Sequence, residues 1–175
     1  MPVFVGGFAA VEAEYVLRLG RDADPDQLEW TLEAAGEMVD AMFAAVEMAG
    51  SPLATINVLG PTVVASDFGN NAGLILGGEI ADWRTRSLER LTCETRIDGR
   101  LVGRGGASLI PNGPLDSVRF LLELQARRGR PLRKGDLVST GAATGIHDIV
   151  AGQEAEVSFG GDGTIQLRAE PAKPE

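Results

Sequence analysis

The chain has one cysteine, Cys93, one histidine, His147, and two lysines, Lys134 and Lys173, among 175 residues. A lone thiol forms no internal disulfide. It fits a reducing, cytoplasmic setting, with Cys93 as a small buried strand residue. One histidine cannot furnish a histidine-rich zinc centre. No G-x-S-x-G elbow accompanies it, so a serine triad is unsupported and His147 reads as a loop residue. Aromatics are scarce, with six Phe, two Trp and one Tyr, and no basic stripe interleaves them. The formal net charge of −9 disfavours nucleic acid and anionic membrane surfaces as partners. No apolar run approaches the roughly 20 residues that span a bilayer, and the N-terminus lacks the basic region of a secretory signal. There is no G-x-x-x-x-G-K-[ST] phosphate loop, and the glycines of "GRGGAS" and "GNNAG" lack the strand–helix context for nucleotides.

What is present describes a folded chain. Hydrophobic residues make up 44%, which argues against disorder and allows a substantial core. The length suits one domain over residues 1–175, with "AEPAKPE", from about 169, as a frayed tail. "FAAVEAEYVLRLG" reads as a strand. After it, Asp24 is a good N-cap with Pro25 at the first helical position and Gln27 completing a capping-box-like pattern. Leu28, Leu32, Ala35, Val39, Met42, Phe43 and Val46 recur at helical spacing, predicting a helix to about residue 46 before Gly50, Ser51 and Pro52. A second helix is expected from about Leu115 to Arg128, stopped by Gly129 and Pro131. Hairpins are expected around Asp98–Gly99 and around Gly160–Gly163, and "RKGDLVSTGAAT" reads as a turn into a strand. Helices and hairpins in irregular order indicate an α+β fold with a largely antiparallel or mixed sheet.

The first strand poses a chemical question. Side chains two apart on a strand share a face, so Val11, Ala13, Tyr15, Leu17 and Leu19 form one side, and Glu12 and Glu14 stand on the other with Val16 and Arg18. Two like charges at that separation repel unless water, a proton or a cation lies between them. A half-buried strand with a solvated outer face is one reading. Hard divalent ions such as Mg²⁺ or Mn²⁺, which take carboxylate oxygens, are the other. Glu47, at the end of the expected first helix in "AAVEMAGSPL", offers a third carboxylate. A helix C-terminus disfavours a negative charge, so a nearby positive one would help account for it.

In order, the E-x-E strand, a later "A-x-E", "SDFGNNAGLILG" and "LLELQARRGRPLRKGDLVSTGAATG" resemble the fumarylacetoacetate hydrolase family. Within it they look most like the branch of 2-keto-4-pentenoate hydratase and oxalocrotonate decarboxylase. The match runs from about Val11 to Arg168, and "G-x-x-L-x-x-G-D-x-V-x-T-G" is its most specific segment. The resemblance implies a β-rich mixed sheet or roll of the family's C-terminal-domain type, with two main helices. It implies a Mg²⁺ or Mn²⁺ ion held by Glu12, Glu14 and Glu47, which chelates the 2-keto acid and polarises its carbonyl. Thr140 and Gly141 fall on the family's T-G, which contacts the substrate carboxylate. Asn70 and Asn71 fall where hydratases often carry an acidic-Asn pair, and Asp67 stands three residues earlier as a possible substitute.

By that resemblance the expected activity is a metal-dependent lyase reaction on a small 2-keto acid. Hydration of 2-hydroxypenta-2,4-dienoate and decarboxylation of a 2-oxo-3-enedioate both start from a metal-held enol. An acylpyruvate-type C–C hydrolase, or a non-catalytic member acting as a partner subunit, are the alternatives, and an oligomer is implied. Family hydratases carry a longer region before E-x-E that supplies a lysine for proton transfer. Only eleven residues precede Glu12 here, and neither lysine matches, so the catalytic proton donor is unassigned.

Overall fold

The computed structural model describes residues 1–173; the last two residues of the expected tail lie outside the described residues. In chain order the elements are β1 (Pro2–Val3), β2 (Phe8–Leu19), α1 (Leu32–Met38), β3 (Val39–Ser51), α2 (Pro61–Ser66), β4 (Asn71–Glu79), β5 (Thr92–Ile97), β6 (Arg100–Gly106), α3 (Pro114–Arg127), β7 (Leu137–Ser139), β8 (His147–Asp148), β9 (Glu154–Ser158), β10 (Thr164–Arg168) and β11 (Glu170–Pro171). Three short 3-10 turns lie between them among the described residues.

Two antiparallel sheets carry the fold. In one, β2 lies between β3 and the short strands β7 and β8, and β4 flanks β3. In the other the order is β10, β9, β5, β6. Val11, Ala13, Tyr15, Leu17 and Leu19, from one face of β2, join Cys93, Ile97, Ala155 and Val157 of the second sheet in a single buried cluster. Tyr15 meets Phe159 edge-on, with ring centroids 5.7 Å apart. Each large side chain so buried contributes about 1.5–3 kcal/mol relative to exposure, and Val118 and Leu122 of α3 extend the same cluster. The opposite face of β2 is where the two glutamates stand.

Both expected hairpins form, as β5–β6 and β9–β10. Asp98 and Gly99 take φ of 48° and 76°, the left-handed pair that a tight hairpin turn requires. The second expected helix is α3, with Pro114 in its first turn and Gly129 just beyond its end.

The first expected helix is corrected. Helix covers only Leu32–Met38, and Val39–Ser51 is strand. The run from 41 to 46 is apolar and buried on both faces, and such a continuous apolar run does not distinguish helix from strand by its period. Pairing with the whole of β2 decides the matter. The guanidinium of Arg84 donates to the carbonyls of Gly36 and Val39, tying down the junction of α1 and β3. Nor is Asp24 the N-cap. Its carboxylate accepts from the Asp26 N–H in a turn, whereas Thr31 caps α1 through the Ala34 N–H at 3.1 Å.

Two smaller expectations also change. Ala169 is fully buried, and Glu170–Pro171 pairs in parallel with Pro2–Val3, so the tail is anchored through residue 171. His147 is not in a loop but pairs with Val11 on the edge of β2. Among the described residues no helix is long and apolar enough to cross a membrane.

Candidate metal centre

Cross-strand register builds the site. Glu12 lies directly opposite Glu47, and Glu14 opposite Ala45, so all three carboxylates project from one face of the β2–β3 pair. Each offers an oxygen within 4.8 Å of the others. Glu47 is therefore a mid-strand residue rather than the last turn of a helix, and the helix-dipole argument for a compensating cation falls. Charge repulsion among three facing carboxylates replaces it with a stronger one.

Glu14 is almost wholly buried, with 1% of its surface exposed. Its Oε2 accepts from the backbone N–H of Thr140 at 3.0 Å and of Gly141 at 2.6 Å. Burial pushes its carboxyl up to about 7 despite these donors and the Ser139 hydroxyl, which favour the charged form; Glu47 and Glu12 add repulsion. Glu12 is likewise raised to about 7, by burial first and by Glu47 second. Near neutral pH these groups take up protons unless a cation neutralises them.

The segments around the glutamates hold them in place. Asn71 donates its side-chain N–H to Glu47 Oε1 at 2.7 Å. The Thr140 hydroxyl donates to the Tyr15 carbonyl at 2.7 Å, fixing the turn whose N–H groups face Glu14. Asn70 does not join the cluster but donates to the Asn57 side chain at 3.1 Å. Asp67 ends α2 with one carboxylate oxygen buried and unpartnered, and no hydrogen bond among the described residues links it to the glutamates. His147 is opposite Val11, so it lies on the reverse face of the sheet, where its Nε2 bonds the Thr144 carbonyl at 2.9 Å. Ser139, which the sequence reading passed over, stands opposite Val16 on the face of Glu14. Its place immediately before Thr140 in an alternating strand was the signal for it.

The sequence as a whole has relatives. The chain is 30% identical over 158 residues to the TodF product hydratase of Pseudomonas putida (strain F1), covering 89% of this chain and 57% of that protein. It is 29% identical over 160 residues to a 2-keto-4-pentenoate hydratase of Paraburkholderia xenovorans (strain LB400), covering 91% and 58%. The chain is a homologue of the 2-keto-4-pentenoate hydratases. It spans less than two thirds of the length of these hydratases. No family model matches it. The solved 4-oxalocrotonate decarboxylase from Pseudomonas putida G7, complexed with magnesium and adipate, superposes with a TM-score of 0.81 at 24% identity, covering 93% of this chain and 60% of that one. The chain thus has the fold of fumarylacetoacetate hydrolase-family proteins, as expected, and among the described residues none of its sheets closes into a barrel.

Proposed function

We propose that this chain is a divalent-metal-dependent lyase acting on small 2-keto acids, with Glu12, Glu14 and Glu47 as the protein ligands to Mg²⁺ or Mn²⁺. The observation that carries the reading is the convergence of three carboxylate oxygens within 4.8 Å on one sheet face. The donor set fits the ion: it is all oxygen, it is anionic, and two of its members are pushed up to about 7 when no cation is beside them. When bound, the ion supplies Lewis-acid polarisation of the 2-keto carbonyl. The protein's own groups hold that arrangement. Thr140 and Gly141 fix the orientation of Glu14, and Asn71 fixes that of Glu47. The Thr140–Gly141 turn borders the space beside Glu14 where a substrate carboxylate lies in this reading.

Proton transfer is the step these residues leave open. His147 lies on the reverse face, and the turn containing Lys134 lies beyond the far end of β2, bonded to Leu19 through Gly135. A well-placed proton donor contributes roughly 10²–10⁴ in rate. The 175-residue chain is therefore expected to bind ligand well and to turn over 2-hydroxypenta-2,4-dienoate slowly.

Calorimetry on the purified chain tests the reading. Saturating Mn²⁺ should raise the melting temperature, and at a hundred times the dissociation constant the stabilisation is about 2.7 kcal/mol. Oxalate should bind only when metal is present, and Glu47→Gln should abolish both effects. Metal-independent oxalate binding, or an unchanged response in the variant, would refute the ligand set.

A further inference from the structure

β4 is an open edge of the first sheet. Among the described residues, no backbone group from Ala72 to Glu79 bonds to anything but β3. An unpaired edge invites another strand, and charge is the usual guard against it. The edges of the second sheet have that guard: β6 carries Arg100 and Arg104, and β10 carries Arg168. β4 has no charge before Glu79 and no proline. Its Leu74, Ile75 and Leu76 pair with Glu47, Val46 and Ala45 in unbroken register, which puts Leu74 and Leu76 on the face of the glutamates. Leu76 is 43% exposed there. The segment leading into the strand is as bare, since α2 buries no side chain and Phe68 is 90% exposed.

The edge is also self-complementary. Residues 73–77 read Gly-Leu-Ile-Leu-Gly in either direction. We propose that β4 docks a second copy of this chain, the two strands running antiparallel about a twofold axis at Ile75 and joining the first sheets of both molecules into one. In this register Ile75 meets Ile75, Leu74 meets Leu76 and Gly73 meets Gly77, so one patch serves both sides, as an isologous contact requires. Glu79 faces Asn71 of the other copy rather than its Glu79, which keeps the only charges on the two strands apart. Edge N–H and C=O groups that lack a protein partner gain one. Leu74 and Leu76 of both copies close into one apolar patch, which loses its exposure to water. Because Leu74 lies opposite Glu47, the second copy's Leu76 comes to rest two strands from Glu47 and borders the candidate metal centre.

Sedimentation velocity and amide hydrogen exchange on the full chain, both in EDTA, test the pairing without drawing on the metal-site reading. Sedimentation over a range of micromolar concentrations should show a reversible dimer. As the dimer forms, amides within Ala72–Glu79 should become protected, while those of the charged edges β6 and β10 should not change. Leu76→Lys alters a side chain that is already 43% exposed and sets a charge opposite Leu74 at two symmetric places. It should raise the dimer dissociation constant about tenfold or more. A chain that stays monomeric throughout overturns the proposal and leaves the edge to a different polypeptide. A dimer whose β4 amides exchange as fast as the monomer's also overturns it, because the copies then meet elsewhere. So does a Leu76→Lys protein that melts like the unaltered chain and dimerises as tightly. Should that variant fail to fold, the exchange measurement on the unaltered chain decides alone.

Discussion

Replacing Glu14 by Gln should stabilise the metal-free protein at pH 8. The substitution keeps a carbonyl oxygen to accept from the Thr140 and Gly141 N–H groups and removes a charge from a site 1% exposed. Glu14 is raised from 4.5 to about 7 in the folded protein, chiefly by burial. The native state therefore keeps a proton that the unfolded chain releases above pH 4.5. That contribution to stability is fully present below pH 4.5, declines as pH rises, and is gone above about 7. The span between the two values corresponds to roughly 3 kcal/mol for Glu14 alone. The variant lacks this loss. Without metal it should exceed the unaltered protein by about 1–3 kcal/mol at pH 8, which for a chain of this size is roughly 2–10 °C in melting temperature. At pH 5 the two should be close. Thermal melts in EDTA at both pH values decide it, and with saturating Mn²⁺ the order at pH 8 should reverse. A variant less stable than the unaltered protein by the same amount at pH 5 and pH 8 would refute the claim that repulsion and burial of charge dominate this site.

Other perturbations probe neighbouring parts of the account. Asn71→Ala removes the donor that orients Glu47 and should weaken Mn²⁺ affinity about 10–100-fold in a calorimetric titration, with little change in metal-free melting. Gly105→Ala would place a Cβ 1.8 Å from the Ala143 carbonyl oxygen, a backbone clash that should cost about 1–3 kcal/mol in urea denaturation.

Much of this architecture was legible where a local rule was enough. The Asp98–Gly99 turn required two left-handed residues and its sequence supplied them, and Pro114 with Gly129 bracketed α3. The 24–46 stretch misled because two local signals were genuine but used otherwise. Asp24 makes a turn instead of a cap, and the Ala- and Met-rich apolar run satisfies either period when both faces are covered. The glutamates were picked out by chemistry and by resemblance, yet their meeting depends on a long-range fact, the β2–β3 register that sets Glu12 against Glu47. Nothing local encodes that pairing. The placing of His147 behind the sheet, and of Asn70 on Asn57, is likewise tertiary.

The most direct test of the central claim is a crystal structure of the chain grown with Mn²⁺ and oxalate, with anomalous scattering recorded to locate the metal. The account predicts one strong peak on the outer face of β2 and β3, with carboxylate oxygens of Glu12, Glu14 and Glu47 at the roughly 2.0–2.6 Å typical of hard divalent ions and oxalate completing the shell. A manganese peak elsewhere, or one from which any of the three glutamates turns away, would contradict it.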